Sequence, residues 1–425
     1  MSAPRAAVVS IGDELVLGQT LDRHGAWISD RLLSVGLETV EHRTVADDGH
    51  AIAAAFRELR DRAALVVATG GLGPTKDDLT REALAAATGD RLVEDAAARQ
   101  AIEAWFASRG RTMPASNLSQ ARRPFLASVL ANGHGTAPGL RVRCGDGWIV
   151  CLPGPPREMQ PMFEREVLPL AAELATAAPV RTLVVHSFGE GESRLAERIA
   201  ELMDRDRDPS VGTTASAGGV SARLRTRGGA EAVDRLERAA REIDSRWAPY
   251  VFGRGEATLA MAVGELLVEQ GLTLSVAESC TAGMLGEMIV SASGASRYFA
   301  GGWQVYSNEL KHALLGVPQE MLAEHGAVSA AVAEVLAREA ATRSGTTCAL
   351  SITGIAGPSG GTPTKPVGTV FVGCFDRRRG GSTRRFLIPG DREVVRDRSA
   401  RLALMMLRLR LMDLDETPLL WEVRP

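Results

Sequence analysis

The chain has 425 residues, 45% of them hydrophobic and 24% charged, and a formal net charge of −3. That length calls for two or three hydrophobic cores, and the composition excludes a largely unfolded chain. The near-neutral balance, with no Lys/Arg block alternating with aromatics, makes nucleic acid an unexpected partner. No apolar run reaches the roughly 18–20 residues that cross a bilayer, so no membrane is expected either.

In chain order, Asp13 and Glu14 arrive before a signal-peptide core is complete, which points to the cytoplasm. Ala6 to Ile11 reads as a strand, Ala26 to Leu33 as a helix, Ala51 to Leu59 as an amphipathic stretch and Ala64 to Thr69 as a strand, the βαβ rhythm of a parallel sheet. The last strand ends in Gly70-Gly71-Leu72-Gly73-Pro74-Thr75-Lys76-Asp77-Asp78, ahead of a helix from Leu79 to Ala87. A glycine turn there is the usual ligand crevice of an open α/β sheet, but the absence of G-x-G-x-x-G argues against a dinucleotide cofactor. Lys76 can meet phosphate. Asp77 and Asp78, with Asp13, Glu14, Asp47 and Asp48 near other strand ends, are candidates for a hard divalent ion; favourable charge at helix starts accounts for the aspartates equally well.

Trp148 to Leu152 is another apolar run, stopped by Pro153-Gly154-Pro155-Pro156, with a helix to about Leu168. From Arg181 to about Tyr250 the pattern shrinks to a small α+β unit: a strand at Leu183 to His186, a helix at Ser193 to Met203, two short strands near Val211 and Val220, and a charged helix from Ala230 to Trp247. Gly253 to Glu256 marks a boundary, which divides the chain at 1–170, 171–253 and 254–425. A second α/β unit follows, with a helix carrying Leu259, Val263, Leu266 and Leu267 on one face and a buried strand from Thr273 to Ala277. Further strands lie near Gln304 to Tyr306, Cys348 to Thr353, Gly368 to Phe375 and Arg385 to Ile388, and a long helix runs from about Arg392 to Met412. The five cysteines are odd in number and contain no C-x-x-C pair, against disulfides and structural zinc.

Of 49 basic side chains only Lys76, Lys311 and Lys365 are lysine. Arginine replaces a plain surface cation but not an amine that must shed its proton, so the three survivors are candidates for chemistry, against the plain alternative of biased coding. The strand Thr273 to Ala277 runs into Glu278-Ser279-Cys280-Thr281-Ala282-Gly283 and then a helix from Met284. Ser279 thus falls at a helix N-terminus, where unpaired N–H groups can hold an oxyanion; a serine there also serves as a simple cap. Cys280 is a rival nucleophile with no histidine in an evident paired motif. A second helix, capped by Asn308, places Lys311 in its first turn, where the dipole and partial burial both lower an amine's pKa toward that of a general base. Tyr306 could orient that amine, or be a half-buried strand aromatic. The loop from Gly354 through Ile355 and Ala356 to Gly361 lets backbone amides approach ribose or phosphate oxygens, and Arg392 or Arg396 on the last helix offers a guanidinium to a phosphomonoester.

These segments resemble the CinA family over roughly Glu256 to Met412: A-E-S-C-T-A-G at Ala277 to Gly283, Y-S-N-E-L-K at Tyr306 to Lys311, H-G-A-V-S at His325 to Ser329, S-I-T-G-I-A-G-P at Ser351 to Pro358, K-P-V-G-T at Lys365 to Thr369 and P-G-D-R at Pro389 to Arg392. The N-terminal part resembles the same family through S-I-G-D-E-L at Ser10 to Leu15, the Gly70 to Thr80 motif, G-T-A-P-G at Gly135 to Gly139 and P-G-P-P-R-E-M at Pro153 to Met159. The resemblance implies an α/β protein of two three-layer α/β/α domains, the first similar to molybdopterin-binding domains, joined by a small KH-like α+β domain. It implies a C-terminal amidohydrolase acting on nicotinamide mononucleotide, in pyridine nucleotide recycling, with Ser279 as nucleophile, Lys311 as base and Tyr306 as the matching tyrosine. Cys280, Thr281, Gly283, Asn308, Gly354, Ile355, Ala356, Arg392 and Arg396 would line the substrate. No cofactor is implied for deamidation. For the N-terminal domain the resemblance implies an ADP-ribose pyrophosphatase dependent on a divalent metal, and potassium, with Asp13, Glu14, Asp47, Asp48, Gly71, Lys76, Asp77 and Asp78 at the site and Asp47, Asp77 and Asp78 on the metal. It also implies a homodimer. The chain departs from the family at Ala282, where glycine is usual, and at His24, where asparagine is common. The alternative is a regulatory protein that binds nucleotides without turnover, linked to competence or the DNA damage response.

Overall fold

The computed structural model describes residues 3–424. They form two compact units, one of residues up to Arg181 with Arg227–Ala232, the other of Thr182–Thr226 with Val233 onward. The small middle segment therefore belongs largely with the C-terminal part by contact.

The first unit contains strands β1 (Arg5–Ile11), β2 (Glu38–Val45), β3 (Leu65–Thr69), β4 (Leu92–Glu94), β5 (Arg122–Pro124), β6 (Ser128–Leu130), β7 (Gly139–Cys144) and β8 (Gly147–Leu152). Six of them make a sheet in the order β2-β1-β3-β8-β7-β6, and β4 pairs with β5. Alternate side chains of β1 point to opposite faces. Ala6 and Val8 pack with Ile28 and Leu32 of the helix His24–Ser34, and Ala7, Val9 and Ile11 pack with Ile52, Phe56 and Leu59 of the helix Gly49–Arg60. Three layers result. The parallel rhythm holds for β1, β2, β3 and β8, but β7 runs antiparallel to both β8 and β6. Cys144 and Gly147 are separated only by Gly145-Asp146, with Gly145 at φ +61°, a two-residue hairpin turn that forces the reversal.

The second unit holds β9 (Val180–Phe188), β10 (Ser210–Ser216), β11 (Gly219–Arg227) and β12 (Val251–Arg254) in the order β10-β11-β9-β12. The two short strands expected near Val211 and Val220 are thus a hairpin of seven and nine residues. The helix Ala230–Trp247 lays Leu236, Ile243 and Trp247 on Val185, Val220 and Leu224. Next come β13 (Leu274–Glu278), β14 (Phe299–Gln304), β15 (Cys348–Gly354), β16 (Thr369–Asp376) and β17 (Gly380–Leu387), in the order β14-β13-β15-β16-β17. Here β13 is parallel to β14 and β15, while β16 is antiparallel to its neighbours. Leu274 and Val276 join Val263, Leu267 and Leu402 in one core; Ala277 joins Leu336 and Ala340 in another, so this sheet too is covered on both faces.

The strand expected at Gln304 to Tyr306 lies earlier in the chain, at Phe299–Gln304. Within that strand Gly302 lies opposite Val276, where a Cβ would come within 2.4 Å of Val276 Cγ2. Among the described residues no helix is long and apolar enough to cross a membrane.

Candidate active site

β13 and β14 are parallel neighbours and end at the same edge of the sheet, with Glu278 in register with Gln304. The chain passes from β13 to β14 on one side and then from β14 back across to β15 on the other side of β13, the topological position where open α/β sheets build their sites. Ser279 follows β13 directly. After β14, Val305 donates its N–H to the Glu278 carbonyl at 2.8 Å, and the chain turns into the helix Asn308–Leu315. Its first turns bring Lys311 back over the strand ends, so that Nζ lies 3.1 Å from Ser279 Oγ, 2.9 Å from the Val305 carbonyl and 3.0 Å from the Tyr306 carbonyl.

Lys311 is 1% exposed, and burial drives its amine below the usual lysine range, against the opposing pull of Cys280 and Glu309. No carboxylate forms an ion pair with it among the described residues. A neutral amine has two hydrogens and one lone pair. Two carbonyls can take the hydrogens, which leaves the lone pair for the Ser279 hydroxyl, the arrangement a general base requires. The helix is capped by Ser307, whose Oγ accepts from Leu310 N, and not by Asn308, which is exposed. Serine is the better fit because it still has extended backbone there, while Asn308 is already helical.

The turn after Ser279 differs from the simple picture of free helix amides. Glu278, 1% exposed, curls its carboxylate back to accept from Gly283 N at 3.0 Å, Leu285 N at 3.0 Å and Gly286 N at 2.9 Å. Those amides are consequently closed to an oxyanion. Ser279 N donates to Ile352 O, whereas the amides of Cys280 and Thr281 meet no oxygen among the described residues. Gly283 has φ +98° and, with a Cβ, would meet Gln304 Nε2 at 2.8 Å. Ala282 has φ +49°, a left-handed conformation that glycine takes freely and alanine does not. Burial pushes the Cys280 thiol up to about 12, so it is no thiolate at neutral pH. Thr281 is fully buried, its hydroxyl without a partner among the described residues.

Tyr306 does not orient the amine through its ring. Its side chain is 61% exposed, and only its backbone carbonyl meets Lys311. The phenol stands 3.4 Å from Arg392 Nη2, while Arg392 Nη1 donates to the Gly357 carbonyl at 2.9 Å. Arg392 thereby joins the tyrosine to the glycine loop at the mouth of the site. In that loop Ile355 N donates to Thr369 O and Ile355 O accepts from Gly368 N, while Gly354 pairs with Val370, so Ile355 offers no free amide to a ligand. Ala356 is buried in the core. Arg396 Nε and Nη2 donate to the carbonyls of Cys280 and Thr281 at 3.2 and 2.8 Å, so this guanidinium faces the serine turn.

In the first unit, a cleft of about 500 Å³ lies at the C-terminal ends of β1 and β3, lined by Glu14, His24, Thr69, Gly70 and Gly154 among others. His24 Nδ1 is 3.3 Å from Thr69 Oγ1, and burial lowers its pKa against the pull of Asp22. Gly71, at φ +62°, would clash with Thr80 Oγ1 if it carried a Cβ. Lys76 and Asp77 are exposed.

The metal set Asp47, Asp77 and Asp78 is not assembled. The Asp78 carboxylate accepts from Gly73 N, Thr75 N and Thr75 Oγ1, and Asp48 caps the helix Gly49–Arg60 through Ala51 N. Asp13 and Asp47 accept each other's backbone N–H at 3.0 Å. Burial raises the Asp47 pKa, with the charges of Asp13, Glu14 and Asp77 adding to the rise. No group of three or more His, Cys, Asp or Glu side chains is placed to hold a metal among the described residues. The described residues supply no set of three protein ligands for a divalent ion.

A relative from Symbiobacterium thermophilum, named for competence and damage induction, is 42% identical over 95% of this chain and 98% of its own length. The chain belongs to the CinA family. Residues 256–411 match the CinA C-terminal domain, 182–253 the damage-inducible protein CinA KH domain, and 7–173 the "Probable molybdopterin binding domain". A CinA-like protein of Gemmatimonas aurantiaca is 41% identical over 94% of this chain and 95% of its own. Among solved structures, a CinA superfamily protein from Klebsiella pneumoniae is 33% identical, covering 36% of this chain and 96% of that one at a TM-score of 0.36. Within this CinA chain, Ser279, Lys311, Arg392 and Arg396 all lie in the segment matched as the C-terminal domain, and the His24 cleft in the segment matched as molybdopterin-binding.

Proposed function

We propose that the C-terminal domain hydrolyses the carboxamide of nicotinamide mononucleotide to nicotinate mononucleotide and ammonia. The observation that carries the reading is the 3.1 Å contact between Ser279 Oγ and the buried Lys311 amine. Burying an amine without a carboxylate partner costs stability, so a role confined to packing would be better served by an apolar side chain. That favours turnover over nucleotide binding alone.

In the reaction, Lys311 accepts the Ser279 proton as Oγ bonds to the carbonyl carbon, and the resulting oxyanion draws on the amides of Cys280 and Thr281. The C–N bond then breaks, with the proton passing from Lys311 to the departing nitrogen to release ammonia. Water, deprotonated by Lys311, cleaves the ester and restores Ser279. Arg392 with the Tyr306 hydroxyl, exposed at the mouth, would hold the phosphate.

The cleft of the first unit is proposed as a second nucleotide site, of a size for part of ADP-ribose; its carboxylates supply no metal set, and no hydrolytic step is drawn there. The test is incubation of the full chain with nicotinamide mononucleotide and, separately, with ADP-ribose, followed by ammonia assay and chromatography. Ammonia and nicotinate mononucleotide in equal amounts support the reading, and intact nicotinamide mononucleotide refutes it.

A further inference from the structure

Two charged side chains grip the Ser279 turn from either end. Glu278 holds the amides of Gly283, Leu285 and Gly286, and Arg396, reaching in from the helix Arg392–Leu411, holds the carbonyls of Cys280 and Thr281. Between them lie two consecutive left-handed residues, Ala282 at φ +49° and Gly283 at φ +98°. Such a backbone persists only where its surroundings over-determine it.

A trans peptide points its C=O and the following N–H in opposite directions. Fixing the Cys280 carbonyl on Arg396 therefore turns the Thr281 N–H away from the guanidinium, and that N–H, like those of Cys280 and Ala282, meets no oxygen among the described residues. Two of the five guanidinium N–H groups of Arg396 are committed to these carbonyls, on the edge that faces the turn; turning that edge to a phosphate would remove the clamp they form. Arg392, one helical turn earlier and exposed, holds the Gly357 carbonyl and the Tyr306 phenol at the mouth of the site and makes no contact with the Ser279 turn among the described residues.

We infer that Arg396 is a positioning residue that fixes the oxyanion-binding amide of Thr281 beside Ser279, and that it is not the phosphate ligand. The inference rests on the deamidase reading for its substrate, but not for its geometry. The same clamp sets how fast Ser279 reacts with any electrophile that builds negative charge on oxygen.

The experiment compares full-length wild type with Arg396→Ala, Arg396→Lys and Arg392→Ala. It measures kcat and KM on nicotinamide mononucleotide and on nicotinamide riboside, which bears the same amide without phosphate, and the rate at which a fluorophosphonate labels Ser279. Arg396→Ala is expected to lower kcat by about a hundredfold on both substrates, to slow labelling in parallel, and to leave KM for the nucleotide nearly unchanged. Arg392→Ala is expected to raise KM for the nucleotide more than it lowers kcat. A rise in KM for the nucleotide alone in Arg396→Ala, with labelling at the wild-type rate, would make Arg396 the phosphate ligand and overturn the inference. Should Arg396→Ala fail to fold, Arg396→Lys keeps the charge but loses the two-nitrogen reach, and the same comparison decides. If wild type releases no ammonia, the substrate reading fails while the labelling rates still test the clamp.

Discussion

Replacing Lys311 with methionine separates the buried amine from the rest of the site. The side chain keeps its length and unbranched shape but loses the proton and both hydrogen bonds, which strands the carbonyls of Val305 and Tyr306 at about 1–3 kcal/mol each. That loss is the same at every pH. The amine's own contribution is not, because its folded-state pKa lies below its ordinary value of 10.5. Below the folded pKa both states are protonated and the full penalty of a buried charge weighs on the native protein. Between the folded pKa and 10.5 the unfolded chain holds a proton that the native chain does not, so wild-type stability rises with pH. The limiting slope is about 1.4 kcal/mol per pH unit. Urea unfolding of wild type and Lys311→Met from pH 6 to 10 should show their stability difference moving in favour of wild type as pH rises, with that slope as its ceiling. The kcat/KM of wild type should rise through the same pKa. A stability difference flat across this range would mean that the amine titrates as an ordinary lysine, and the general-base argument would fall with it.

Two further outcomes follow from the turn. Ala282→Gly should stabilise the protein by roughly 0.5–1 kcal/mol, since relief of the left-handed strain exceeds the entropy that glycine adds to the unfolded chain, and chemical denaturation reads the difference. Destabilisation would show that the methyl group packs favourably enough to outweigh its φ. Cys280→Ala should keep the wild-type kcat and its pH profile, because a thiol raised to about 12 by burial supplies no thiolate; loss of turnover with the fold intact would bring the thiol into the chemistry.

The parts of the site written in local pattern were legible in the sequence. A strand running into a small-residue turn placed Ser279, and the scarcity of lysine drew attention to Lys311. The relation between them was expected on helix position, yet what brings the two side chains together is the parallel pairing of β13 with β14, which ends both strands at one edge. Glu278 escaped notice because a carboxylate at the end of a buried strand has no local signature as a cap; its acceptor role exists only once the turn has folded back over it. Arg396 contacts a turn 115 and 116 residues away in sequence, a relation no window of sequence displays. Tyr306 was misjudged because alternation along a strand predicts a face only while the strand lasts, and β14 stops at Gln304.

The first unit repeats the lesson. Arg81, buried, donates to the carbonyls of Leu72 and Gly73 while Asp78 accepts from Gly73 and Thr75 amides, so the glycine turn after β3 is held by one cation and one carboxylate, as the Ser279 turn is. Read as sequence, Asp78 is a candidate metal ligand or a favourable charge at a helix start. In the folded chain it is a structural acceptor.

The most direct measurement is ammonia release from nicotinamide mononucleotide by wild type, Ser279→Ala and Lys311→Met, each shown to be folded by its unfolding curve. Steady release by wild type alone, with either substitution reducing it to background, is the predicted result. Release at the wild-type rate by either variant would contradict the account.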